Sequence, residues 1–270
     1  MVKKLFKHET VAWLRGMLPM YAILLGVALL GRIVQIFEDG SSVPYNIFFI
    51  SSVVVYCITI IVCVIMTAIF CITRFYKNLF TSEGYLSFTL PVTTSNHILT
   101  KLLTALLFSL VSLAVVFLSF FIFMFGDAFT EIMKAASYLS GLAFKEIGVH
   151  YIFYVIEIIL IAIVSCAAQY LLFYACISVG QIARKNRILA AFGVYFGYYF
   201  AMQMLGTIFI IIVTLNDSFF ERIYNYIVGN YSNYTFYHII LCCVLVVDIL
   251  LSCLYYFVSH HMIKKKLNLE

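Results

Sequence analysis

Residues 74–101, RFYKNLFTSEGYLSFTLPVTTSNHILTK, decide how the rest of the chain is read. This stretch is a polar-containing break between two long apolar runs, too short for a domain and too patterned for a plain linker. Within it, residues 82–88 form a helix-prone piece carrying Glu83, Gly84 and Tyr85, and Pro91 stops that piece. Thr93, Thr94, Ser95 and Asn96 follow, with side-chain oxygens suited to capping the orphan N–H groups of the next helix. A short helix held between two membrane helices is a handle on which another protein can push.

Outward from this stretch the chain is almost entirely apolar. Of 270 residues, 64% are hydrophobic and 11% charged, and the mean hydropathy is +1.07. Soluble domains are about 45–50% apolar and about 25% charged, so this composition excludes one. Only a bilayer can act as solvent for so many apolar runs. The sequence therefore predicts an all-α, polytopic membrane protein: a single transmembrane domain over 1–270 with six spans, at about 17–37, 46–73, 98–125, 149–180, 188–215 and 238–258. The fourth span is longer than a bilayer requires and should tilt or project. Residues 127–148 carry Phe129, Ile132, Met133, Ala136 and Leu139 at helical spacing, which predicts an amphipathic helix on the outer surface. Residues 216–237 are polar and tyrosine-rich; their Tyr and Phe cluster suits an outer gate or an aromatic interface belt equally well.

Residues 1–16 are basic, with Val2, Phe6, Trp13 and Met17 on one side of a helical wheel and Lys3, Lys4, Lys7 and Arg15 largely on the other. That pattern predicts an interfacial helix, with Trp13 at headgroup depth and the lysines toward anionic lipid. No apolar segment of signal-peptide type precedes the first span, so no cleavable leader is expected. Lys and Arg set the orientation. The N-terminus carries four, and residues 74–101, the 181–187 turn and the tail carry three each, whereas the opposite side has only Lys134, Lys145 and Arg222. This asymmetry predicts a cell-membrane protein with both termini cytoplasmic.

Few motifs carry chemistry. No Gly-Lys is followed by Ser or Thr, so there is no P-loop, and no HExxH zinc motif occurs. The eight cysteines lie in apolar runs without metal or redox spacing and read as small hydrophobes. No metal site is expected; His260 and His261, beside three lysines, read as a juxtamembrane anchor. Asp39-Gly40 reads as a turn. Three ionisable residues fall inside spans: Arg32, Glu157 and Asp248. A charge in mid-membrane costs about 2.5–3.5 kcal/mol or more, so such residues face a partner or a wet cavity. Arg32 can pair with Glu157 or Asp248, and the three either line a translocation path or fix helix packing. Gln169 and Gln203 read as interhelical hydrogen-bonding groups, and Gly193-xxx-Gly197 as a candidate close helix crossing.

The layout resembles that of ABC-2-type exporter permeases. The points of likeness are the amphipathic lead-in, the six spans, the lack of an ATP-binding domain and the segment Glu-Gly-Tyr-Leu-Ser-Phe-Thr-Leu-Pro at 83–91. The general layout covers nearly the whole chain; the specific motif covers residues 74–101, where it is similar to stand-alone permeases of Gram-positive bacteria, most of all those of the phenol-soluble-modulin exporter kind. The resemblance implies that Ser82, Glu83, Gly84, Tyr85 and Phe88 belong to a coupling helix that docks on a cytosolic ABC ATPase. It implies a second permease copy, identical or not, a surrounding lipid phase, and an amphipathic or hydrophobic peptide as substrate. It implies no catalytic residue in this chain, with ATP and magnesium entering only through the partner, and no nucleic acid. The outer segment 127–148 and the long fourth span depart from the pattern. Two other readings stand beside it: an intramembrane protease or lipid transferase using Glu157 and Asp248, and a membrane sensor or assembly subunit without a transport role.

Overall fold

Lipid offers no hydrogen-bond partners, so a backbone crossing it must satisfy its own N–H and C=O groups, and a helix does so within one segment. The computed structural model follows that rule; it describes residues 2–36, 43–81, 84, 89, 92–183, 185–230 and 233–265. Among the described residues eight helices are present: α1 (Val2–Ile36), α2 (Val43–Phe80), α3 (Thr94–Phe123), α4 (Asp127–Ile147), α5 (His150–Gly180), α6 (Arg187–Leu215), α7 (Asp217–Asn230) and α8 (Asn233–Lys265). Six of them, all but α4 and α7, are long and apolar enough to cross a membrane. Each has 29 residues or more. At about 1.5 Å per residue every one exceeds the ~30 Å hydrocarbon layer, so excess length belongs to all six spans and not to the fourth alone.

The N-terminal residues do not form a separate surface helix. The backbone runs unbroken from Val2 to Ile36 through Pro19. Its buried side chains, Glu9, Trp13, Met17, Tyr21, Leu24 and Ala28, recur every three or four residues on one stripe. Trp13, expected at headgroup depth, is 2% exposed. Its ring stacks on Phe108 and meets Phe70 edge-on, each at 5.0 Å between centroids. Burying an indole among aromatic rings removes more apolar surface than leaving it at an interface, and that gain holds the first turns of α1 in the bundle.

Two compact units divide the chain. The first contains α1, most of α2, α3 and most of α4. Here α1 lies closest to α3. Gly31 permits this packing, since a Cβ there would fall 2.4 Å from Phe123 of α3, and Gly16 permits the approach of α2, since a Cβ there would fall 2.3 Å from the Phe70 ring. Hydroxyls also join these helices. Ser112 meets Tyr21 at 2.7 Å and Thr67 at 3.0 Å, and Ser119 meets Tyr56 at 3.0 Å. At the start of α3, Thr93 is the capping residue by backbone conformation, but its side chain makes no capping bond.

The second unit contains the last two residues of α2, the end of α4 and all of α5 to α8. Helix α5 packs most closely on α8 and also on α6, while α7 touches both α6 and α8. The turn from α5 to α6 is tight. Gly180 lies against the backbone of Ala191, and Asn186 takes the left-handed conformation at φ 54°, which asparagine tolerates better than most residues. The Gly193-xxx-Gly197 crossing is not formed. Nothing lies within 4 Å of a Cβ built on either residue, because α6 turns that face outward. The close crossing is made instead at Gly180. Residues 217–230, read from sequence only as a polar tyrosine-rich segment, are helical in α7, with Tyr224 edge-on to Phe236 of α8 at 5.0 Å.

Candidate functional site

Three polar constellations stand out, one in the first unit and two in the second. In the first, a single carboxylate ties three helices together. Glu9 of α1 accepts hydrogen bonds from Arg74 Nη2 at 3.0 Å and Asn78 Nδ2 at 2.8 Å, both on α2, and from Lys101 Nζ at 2.8 Å on α3. The Glu9 and Lys101 side chains are each 7% exposed, and Arg74 is 27% exposed. Both ion pairs are charge-assisted hydrogen bonds, and the Glu9–Lys101 pair is little screened by water. Trp13, one turn further along the buried stripe of α1, sits against Phe70 and Phe108.

This cluster lies at the root of the sequence stretch read first. Arg74 and Asn78 lie in the last two turns of α2, and Lys101 belongs to the first turns of α3. Sequence reasoning counted Arg74 and Lys101 only as orientation charges and passed over Glu9. A signal was present: Glu9 is the only acidic residue among the first 37, and Trp13, Met17 and Tyr21 continue its stripe. Of the five docking residues, Ser82, Glu83, Tyr85 and Phe88 lie outside the described residues. Gly84 is buried, and its N–H donates to the carbonyl of Thr81 at 2.7 Å.

Arg32, Glu157 and Asp248 each take a partner within their own unit. Arg32 Nη1 donates to Gln35 Oε1 at 3.1 Å, near the end of α1. Its guanidinium lies beside the turn at Gly126, where φ is +128° and a Cβ would come within 3.0 Å of Arg32 Nη2. Glu157 of α5 faces His238 of α8, with Nδ1 at 2.9 Å from both carboxylate oxygens. His238 Nε2 is 3.1 Å from His150 Nδ1, and the Tyr154 ring stacks on His238 at 4.2 Å. The Tyr154 hydroxyl donates to the carbonyl of Tyr234, whose own hydroxyl donates to the carbonyl of Glu146. This network staples one end of α5 to the start of α8.

Asp248 lies further along the same helix pair, accepting a hydrogen bond from the Ser165 hydroxyl. Ser165 is eight residues beyond Glu157 on α5, about 12 Å along the helix axis, so the two carboxylates form no dyad able to share a proton. Asp248 and Ser165 border a cleft of about 280 Å³ between α5, α6 and α8, also lined by Gln169, Tyr198, Tyr199 and Tyr255. The hydroxyls of Tyr198 and Tyr255 are hydrogen-bonded to each other. Gln169 Nε2 donates to the Tyr195 hydroxyl at 3.3 Å, and Tyr199 donates back to Gln169 Oε1 at 3.4 Å. Gln169 is thus the interhelical bridge its position suggested, whereas Gln203 is exposed. Ala168, Leu172, Met202 and Leu251 complete the wall.

Six long apolar helices, with the shorter α4 and α7 between them, define a polytopic, all-helical membrane protein. No family model matches the chain, and neither a curated protein nor a solved structure does so.

Proposed function

We propose that this chain is the transmembrane permease subunit of an ATP-driven exporter, working with a separate cytosolic ABC ATPase and a second permease copy. The Glu9 clamp is the observation that carries this reading. It binds the end of α2 and the start of α3 to α1 through one buried carboxylate, so a push on the intervening segment reaches three helices as a unit. A buried charge pair such as Glu9–Lys101 favours discrete packing states over gradual deformation, which is what a lever between ATPase and membrane needs.

In this reading both termini and the segment between α2 and α3 face the cytoplasm. Ser82, Glu83, Gly84, Tyr85 and Phe88 dock on the ATPase. The ATPase supplies ATP and magnesium, and closure of its dimer moves the docked segment. Arg32, Glu157 and Asp248 differ in role: Arg32 and Glu157 are held by local partners and fix packing, while Asp248 opens on a cleft. The substrate is an amphipathic or hydrophobic peptide, for which helices exposing apolar surface along most of their length provide a compatible wall.

Affinity purification of the tagged full chain in mild detergent tests the proposal. A stoichiometric ATPase is expected, lost when residues 82–88 are replaced by a Gly/Ser linker and weakened by Glu83→Ala or Tyr85→Ala. Absence of any ATPase from monodisperse protein, or normal coupling in the linker variant, sinks the exporter reading.

A further inference from the structure

We propose that the cleft between α5, α6 and α8 is a binding site for a primary ammonium group carried on an apolar tail. Three carboxylates of the described residues sit within the long helices at helix-helix contacts, and they differ in their partners. Glu9 meets a lysine and an arginine, and Glu157 meets His238. Asp248 meets the Ser165 hydroxyl, and among the described residues no cationic side chain pairs with it. An ionisable group near the middle of a membrane-spanning helix needs a counter-charge or a proton, and a neighbouring cleft is where a ligand supplies one.

The lining selects the kind of cation. No Lys or Arg borders the cleft, so an anion has nothing to bind it. A hard divalent ion requires about six oxygen ligands, and one carboxylate among phenols and an amide is a poor set for it. Among the described residues there is also no cluster of three metal-ligating side chains. An ammonium group, by contrast, has three N–H donors. Asp248 supplies the charge, and the Tyr198–Tyr255 hydroxyl pair and Gln169 Oε1 supply acceptors nearby. The rings of Tyr198, Tyr199 and Tyr255 add faces that attract a cation. Leu172, Met202 and Leu251 offer apolar surface to the attached methylenes, and about 280 Å³ admits the head group with the first part of its tail. The inference rests on the exporter reading only for the source of the amine: a lysine or N-terminus of an amphipathic peptide, or a free alkylamine.

Equilibrium binding of tritiated dodecylamine to the full chain in phosphatidylcholine nanodiscs tests it, with tritiated dodecanol as the uncharged control. Expected is a saturable component for the amine, none for the alcohol, and at least a tenfold loss of affinity in Asp248→Asn. Met202→Trp, which fills the cleft and leaves the carboxylate in place, should abolish the component. It also decides the matter if Asp248→Asn does not give monodisperse protein. No saturable amine binding, saturable binding of dodecanol, or unchanged amine binding in either variant overturns the site. A Leu/Lys amphipathic peptide and its lysine-acetylated form then separate the sources. Displacement of dodecylamine by the unmodified form alone supports the site and assigns it to a peptide. Retained dodecylamine binding without displacement supports the site for a free amine and counts against the peptide substrate, not against the cleft.

Discussion

Replacing Glu9 with alanine should leave the Lys101 ammonium buried at 7% exposure without its counter-charge. Breaking one side of a buried pair costs about 3–5 kcal/mol, because the remaining charge keeps its desolvation penalty and loses its attraction. The Arg74 arm adds little, since at 27% exposure that guanidinium is partly hydrated and such pairs are worth up to about 1 kcal/mol. Lysine's flexible stem allows some relief, so the lower end, about 3 kcal/mol, is the expected loss. For a chain of this size each kcal/mol shifts the melting temperature by about 2–4 °C, which gives a drop of about 6–12 °C. Trp13 is the chain's only tryptophan and lies one helical turn from Glu9, so its fluorescence in a thermal melt reports on this cluster directly. The double variant Glu9→Ala/Lys101→Met removes both charges and should recover at least half of the loss. If Glu9→Ala melts with the wild type, or if the double variant is as unstable as the sum of the two single variants, the clamp is not the energetic link between α1, α2 and α3.

Three further outcomes follow from the packing. Gly180→Ala would place a Cβ 2.7 Å from the Ala191 backbone nitrogen and 2.8 Å from its Cα, and backbone cannot yield as a flexible side chain can; a loss of about 1–3 kcal/mol is expected in the same melt. Gly193→Ala and Gly197→Ala meet open space and should be neutral or stabilise α6 by up to about 1 kcal/mol. A clear loss at either position would mean that a second copy or another partner covers that face. His238→Ala removes the group facing Glu157, whose side chain is 23% exposed, and should cost about 1–2 kcal/mol in a denaturant titration; no change would show the pair to be screened by solvent.

Much of the architecture was legible in the sequence because lipid imposes it. Apolar runs long enough to cross a bilayer have one stable backbone form, and all six were visible as runs. The helix at 127–147 was visible from its periodicity, and the interhelical role of Gln169 from a lone amide in an apolar run. Length alone did not show that residues 2–36 are continuous. The same basic, Trp-bearing pattern suits a helix lying on a membrane or one packed in a bundle, and only the rings of Phe70 and Phe108 separate the two. The helix α7 was missed although Phe219, Phe220, Ile223, Tyr224 and Ile227 recur at helical spacing, because its polar, tyrosine-rich composition suited a belt or gate without a helix.

What the sequence determined by itself is the solvent and the spanning secondary structure: a bilayer, six spanning helices, and a polar break at residues 74–101 between two of them. Those properties depend on local hydropathy and on hydrogen bonding within one segment, so no distant residue has to be known. Tertiary structure alone decided which polar groups meet. Glu9 finds Lys101 across 92 positions, and Ser165 finds Asp248 across 83. It left the Gly193-xxx-Gly197 face open while closing Gly180 onto Ala191. A buried charge is stabilised or penalised by what lies within a few ångströms of it, and that neighbourhood is a property of helix packing, which a linear pattern of residues does not contain.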